Sequence, residues 1–253
     1  MSKPLIAGNW KMNLNVETSK TLASSVDGCA KKYKKQVDIA VFPSAHLLTT
    51  VKSELSHASL GVQNVYFKDE GAFTGEVSAA QAAELTDYAI VGHSERRHVF
   101  GESDEMIARK AAACVRNELL PIICVGETQH EREQGETTQV LNDQIATGLT
   151  MLTAEDVAGS IIAYEPVWAI GTGNSAKPDD VEQAIATIHR SVEEAFGSRA
   201  AESVRVLYGG SVQADTAGAF LDLEAVDGLL VGGASLDSSE FNAIIERAAN
   251  GAK

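Results

Sequence analysis

The chain has 253 residues, 44% of them apolar, which is enough to bury a large core in one α/β unit or two smaller ones. Lys and Arg number 21 against 35 Asp and Glu. The resulting net charge of −14 excludes a generic binder of nucleic-acid backbone or anionic membrane, since either needs a basic face.

Cys29, Cys114 and Cys124 lie far apart and form neither a disulfide framework nor a zinc signature. They fit free thiols in a reducing cytoplasm. No apolar run approaches the roughly 18 residues of a membrane span. Asn9 and Lys11 break the N-terminal run too early for a signal-peptide core.

The elements follow one another with a regular beat. A first apolar run, 5–7, ends in Gly8-Asn9-Trp10-Lys11. Helix formers fill 16–33 and close on Lys31-Lys32-Tyr33-Lys34-Lys35, where cations suit a solvated helix C-terminus. The run 37–42 precedes helix formers at 45–55, and the run 60–62 leads to a capping box from Ser78 to Gln81. The run 88–91 ends in Gly92-His93-Ser94-Glu95, and Ser103-Asp104-Glu105 opens a helix to about 118. The run 122–125 is followed by a helix at 139–149. The run 161–164 ends at Glu165-Pro166, after which Pro178-Asp179-Asp180 starts a helix. The runs 204–208 and 229–231 precede helices at 215–221 and 239–249.

Eight such runs suit strands buried on both faces. Their alternation with helices predicts an α/β fold of the (β/α)8 type, eight parallel strands ringed by helices, as one domain over 1–253. A doubly wound sheet is the rival, but it usually carries a phosphate loop after its first strand.

Ligand chemistry in such a barrel gathers at the C-terminal ends of the strands. There the sequence places Asn9 and Lys11, His93 and Glu95, Glu165, then Gly209-Gly210-Ser211 and Gly232-Gly233. Glycine pairs after the last two strands let backbone N–H groups wrap an anion, so a monophosphate ligand is expected. An amide cradle also suits an acidic chain, because few cations are needed.

Three other patterns are weaker. Gly171-Thr172-Gly173-Asn174-Ser175-Ala176 fits a dinucleotide fingerprint, but six residues separate it from its strand. Gly92-His93-Ser94-Glu95-Arg96 ends in arginine, where a nucleophile elbow needs a small residue. Cys124 sits in a buried-looking run and reads as packing. The stretch from Pro166 to Ala176 reads as a loop, either a lid whose closure over a ligand would bury Trp168 and Ile170 or a segment packed permanently on the barrel rim.

The longest motifs identify a family. Gly8-Asn9-Trp10-Lys11-Met12-Asn13, Gly92-His93-Ser94-Glu95-Arg96-Arg97, Cys124-Val125-Gly126-Glu127, Tyr164-Glu165-Pro166-Val167-Trp168-Ala169-Ile170-Gly171-Thr172-Gly173, Tyr208-Gly209-Gly210-Ser211 and Val231-Gly232-Gly233-Ala234-Ser235 resemble the triosephosphate isomerase family from end to end.

The resemblance implies a TIM barrel and a homodimeric, cofactor-free, metal-free enzyme of glycolysis and gluconeogenesis. It would interconvert dihydroxyacetone phosphate and D-glyceraldehyde 3-phosphate through an enediolate. By the roles known for that family, Glu165 is the base and neutral His93 the electrophile. Lys11 supplies positive charge, Asn9 a hydrogen bond, and Glu95 orients Lys11. Gly171, Ser211, Gly232 and Gly233 give N–H groups to the phosphate. Pro166, Val167, Trp168, Ala169, Ile170, Thr172 and Gly173 form the lid. Phe73, Thr74 and Gly75 tip a loop, about 63–76, that enters the partner subunit near its Lys11.

Departures from the family pattern are Asn174 at the lid's far hinge and Asp237 after Ser235-Leu236, both where lysine is common. The rival functions are another sugar-phosphate barrel enzyme, such as an epimerase or aldolase, and a non-catalytic barrel. A metal-dependent epimerase would want several ligands at strand ends, where only His93 stands. A Schiff-base aldolase would place its lysine inside a mid-barrel strand. Loss of Glu165, His93 or Lys11 would have favoured the non-catalytic reading.

Overall fold

The computed structural model of the chain describes residues 3–170 and 176–251. Among these, eight strands pair in sequence order into a closed, all-parallel barrel. They are β1 (Leu5–Asn9), β2 (Asp38–Phe42), β3 (Ser59–Val62), β4 (Tyr88–Val91), β5 (Leu120–Val125), β6 (Ile161–Tyr164), β7 (Arg205–Tyr208) and β8 (Gly228–Val231). β1 closes the ring by pairing with both β2 and β8. The fold is the expected (β/α)8 barrel and not a doubly wound sheet.

The continuous apolar runs have a direct cause in the packing. In β5, Ile122 and Cys124 face a barrel interior shared with Leu5, Phe42, Ile90 and Ala163. Ile123 and Val125 belong instead to the larger cluster that packs strands against helices, with Ile107, Ile145 and Ile185. Each strand therefore buries both faces, and alternation disappears from the sequence.

Local signals decide where several helices start. Ser78 Oγ accepts from Gln81 N and Gln81 Oε1 from Ser78 N, each at 3.1 Å, which completes the capping box. Pro178 begins the helix Pro178–Phe196 with Asp179 and Asp180 in its first turn. Lys31 and Lys32 fall in the last turn of the helix Val16–Tyr33.

Other boundaries differ from expectation. β1 continues past its apolar run, because Gly8 and Asn9 still pair with Val41 and Phe42. Residues 45–55 do not make one helix. They form a 3-10 turn, Ala45–Leu47, and a short helix, Leu48–Lys52, neither with a side-chain cap. Ser94–His98, Gln129–Glu133, Ala154–Gly159 and Ser198–Ser203 are helices too short for an apolar period to register.

At the N-terminal rim, Lys3 Nζ lies 3.5 Å from Asp38 Oδ1, and Arg205 Nη2 donates to the Lys3 carbonyl at 2.8 Å. These contacts join the starts of β1, β2 and β7. Among the described residues, no helix is long and apolar enough to cross a membrane.

Phe42 is fully buried in the barrel interior, edge-on to Tyr88 at 6.3 Å. Phe42→Ala is expected to destabilise the fold by about 3–5 kcal/mol, read from denaturant unfolding. Burial pushes the Cys114 thiol up to about 12 and drives the Cys124 thiol well above its ordinary value. Cys29 is only half-buried. Iodoacetamide at about pH 8 should therefore label Cys29 first, and the other two only on unfolding. Mass spectrometry showing native labelling of Cys124 ahead of Cys29 would contradict this burial.

Candidate active site

Parallel closure places the ends of all eight strands on one rim, and the side chains singled out from the sequence meet there. A cavity of about 640 Å³ is lined by Asn9, Lys11, His93, Glu165, Ile170, Ser211, Gly232 and Gly233. Glu95 borders the adjoining slot, beside Lys11 and His93.

Glu165 is the first residue beyond β6. Its N–H donates to the Val125 carbonyl at 2.8 Å, so the ladder still holds its backbone. Gly126 makes that approach possible: a Cβ there would stand 1.8 Å from the Glu165 carbonyl oxygen. The Glu165 side chain is buried, with 2% of the residue exposed. Its Oε2 accepts from Ser94 N at 2.8 Å, and its Oε1 lies 3.1 Å from His93 Nε2. Cys124 packs beneath this carboxylate, and burial is the main reason its thiol stays protonated.

His93 caps the helix Ser94–His98. Its Nδ1 accepts from the Glu95 backbone N–H at 3.2 Å. An amide can only donate, so Nδ1 carries the lone pair and the ring hydrogen sits on Nε2. That hydrogen faces Glu165 and the cavity.

Lys11 follows β1 with a φ of 50°. Its Nζ donates to Glu95 Oε1 at 2.7 Å. Its N–H donates to Asn9 Oδ1 at 3.0 Å, so Asn9 also shapes the turn. A Cβ on Gly232 would stand 3.4 Å from Lys11 Cε, which puts the ammonium stem beside the β8 glycine turn. Ser235 Oγ ties that turn by donating to the Gly232 carbonyl at 2.6 Å.

Pro166 and Ala169 are buried, while Val167, Trp168 and Ile170 are half-buried around a 3-10 turn at Val167–Ala169. Gly171, Thr172, Gly173 and Asn174 lie outside the described residues. The segment rests on Glu127, a residue given no role from sequence. Glu127 is fully buried and accepts from Trp168 Nε1 at 2.9 Å and from Tyr164 Oη at 3.1 Å. Arg132 stacks over the indole at 4.2 Å. Burial beside Glu127 drives the Tyr164 hydroxyl above its ordinary range. The signal for Glu127 was its place just beyond β5, in the same rim as Glu165. Ser94 contributes only its backbone N–H, which no side-chain pattern reveals.

Phe73 and Thr74 stand apart from the cavity on an exposed loop, where the Phe73 ring meets Tyr66 at 4.5 Å, while Gly75 borders the slot beside Lys11 and Glu95. Asp237 is exposed before the helix Ser238–Gly251. Hydrogen bonds from the Ser239 hydroxyl and from the Glu240 and Ser239 amides hold its carboxyl below the usual range. It caps that helix and also lines the cavity.

A family model described as Triosephosphate isomerase matches residues 4–248. A Triosephosphate isomerase of Streptococcus pneumoniae is 45% identical, over 96% of this chain and 98% of that protein. One from Streptococcus thermophilus is 44% identical over the same shares, and one from Clostridium tetani is 41% identical over 97% and 96%. Likeness of that extent, on a barrel of this topology, reflects common descent: the chain belongs to the triosephosphate isomerase family and is an isomerase.

Proposed function

We propose that this enzyme interconverts dihydroxyacetone phosphate and D-glyceraldehyde 3-phosphate, as its relatives' name implies. The observation that carries the reading is the 3.1 Å approach of Glu165 Oε1 to His93 Nε2 on the floor of a cavity flanked by Lys11 and two glycine turns. A carboxylate and an imidazole N–H side by side at that spacing can face two adjacent atoms, a carbon and the oxygen beside it, of a small ketose or aldose once they part to admit it.

The reaction moves hydrogen within one molecule. Glu165 takes a proton from the carbon beside the carbonyl and returns it to the neighbouring carbon. Negative charge builds on the carbonyl oxygen, where His93 Nε2–H and the Lys11 ammonium meet it. The neutral ring then carries a proton between the two oxygens. Glu165 leaves its bond with Ser94 N to engage substrate, and burial keeps water from competing for the carboxylate. Atoms balance with side-chain groups alone, so the reaction as proposed uses no cofactor or metal.

The phosphate binds against Ser211, Gly232 and Gly233, with Gly171 contributing from the lid. Its binding energy drives closure of the segment from Pro166 onwards, which spends affinity on turnover. Closure also keeps the enediolate from losing phosphate to solvent. The whole chain acts as one catalytic barrel, in glycolysis and gluconeogenesis within the cytoplasm, without nucleic-acid or membrane partners.

Two copies form the working unit. Met12, Val99 and Phe100 are large apolar side chains in the open, with Met12 94% exposed. Met12 and Phe100 border the slot beside Lys11 and Glu95. Such a patch favours a partner surface. The exposed tip Phe73-Thr74-Gly75 of a second copy supplies one.

Turnover of glyceraldehyde 3-phosphate, without added metal or cofactor, should fall by about 10²–10⁴-fold in Glu165→Gln. A folded parent protein that leaves this substrate unchanged would falsify the proposed reaction. Thr74→Arg should weaken the dimer and lower activity together; an unchanged dimer in sedimentation would remove the tip from the interface.

A further inference from the structure

Lys11 holds a left-handed backbone conformation, φ 50°, that L side chains adopt at a cost. Such a residue persists when its surroundings over-determine it. Here the restraint comes from three side chains. Asn9 Oδ1 accepts the Lys11 N–H. The Lys11 carbonyl accepts from Ser44 Oγ at 3.0 Å and from Gln63 Nε2 at 2.8 Å. Gln63 Nε2 also donates to the Phe42 carbonyl at 2.8 Å, so both hydrogens of the amide are used. That same carbonyl receives the Trp10 N–H at 3.0 Å.

Gln63 is thus a clamp from the end of β3 that binds the end of β2 to the turn after β1. The turn it clamps directs Lys11 Nζ across to Glu95 on the β4 side. Glutamine has the required length and the required polarity. Asparagine is one methylene shorter. Glutamate would set a carboxylate against two carbonyl oxygens, and methionine would offer no donor.

We propose that Gln63 is a positioning residue of the isomerase reaction: its carboxamide holds Lys11 in the left-handed turn that points the ammonium into the cavity. Gln63 touches no reacting atom, and its effect passes wholly through Lys11. The proposal rests on the reading of Lys11 as the cation that meets substrate.

A double-mutant cycle on kcat/KM tests it. Gln63→Met is measured in the parent and in a Lys11→Ala background, at a concentration where sedimentation gives the parent assembly. Misplacing the ammonium should cost about tenfold or more in the parent. Without the ammonium, the same change should cost less than about twofold. Equal fold losses in both backgrounds overturn the proposal, because a general loss of packing or assembly would be additive. Parental kcat/KM in Gln63→Met overturns it too. A Lys11→Ala enzyme with parental turnover removes the role of Lys11 itself, and the proposal with it, and that outcome is distinct from the other two. Should Gln63→Met fail to fold, Ser44→Ala enters the same cycle: it removes one of the two side-chain donors to the Lys11 carbonyl, and its smaller loss should likewise vanish without the ammonium.

Discussion

Closure of an all-parallel ladder is the constraint on which everything else depends. Because each neighbouring pair, from β1–β2 round to β7–β8 and back to β1, is parallel, every strand runs the same way, and eight C-terminal ends share one rim. Residues as distant in sequence as Lys11, Glu95, His93 and Glu165 then become neighbours without any local signal to bring them together. The register refines this placement to the ångström. Glu165 N still bonds to Val125 O, and Gly209 N to Tyr164 O, so the first residue past a strand is held almost as firmly as the strand itself.

The site also settles a conflict between burial and charge. Glu165 and Glu127 are carboxylates withdrawn from water in a chain that is already strongly acidic. Each is tolerable because donors converge on it: Ser94 N and the His93 ring for Glu165, Tyr164, Trp168 and Arg132 for Glu127. The two differ in what surrounds them. Glu165 borders an open cavity into which substrate can come. Glu127 is enclosed by protein groups beneath the segment after β6, which it holds through Trp168 and Tyr164.

Much of this was legible before the structure. Strands buried on both faces write themselves as unbroken apolar runs, and Ser78 to Gln81 or Pro178-Asp179-Asp180 announce their helices by local chemistry. What escaped depends on tertiary partners. Gly8 and Asn9 are strand residues only because Val41 and Phe42 lie opposite. The helix Ser94–His98 is a single turn or so, begun by a histidine ring that accepts a hydrogen bond from the Glu95 backbone N–H. Gln63 is one polar residue in a polar loop until its two carbonyl partners, Lys11 and Phe42, are seen from other strands.

The ion-paired rim of Lys3, Asp38 and Arg205 lies at the opposite end of the barrel from Lys11, His93 and Glu165. Selection for heat tolerance can therefore act on one end of the molecule while selection for catalytic rate acts on the other. A lineage moving into a hotter habitat can rewrite the floor of its barrel and inherit the mouth unchanged, so that the two traits evolve on separate ledgers within a single fold.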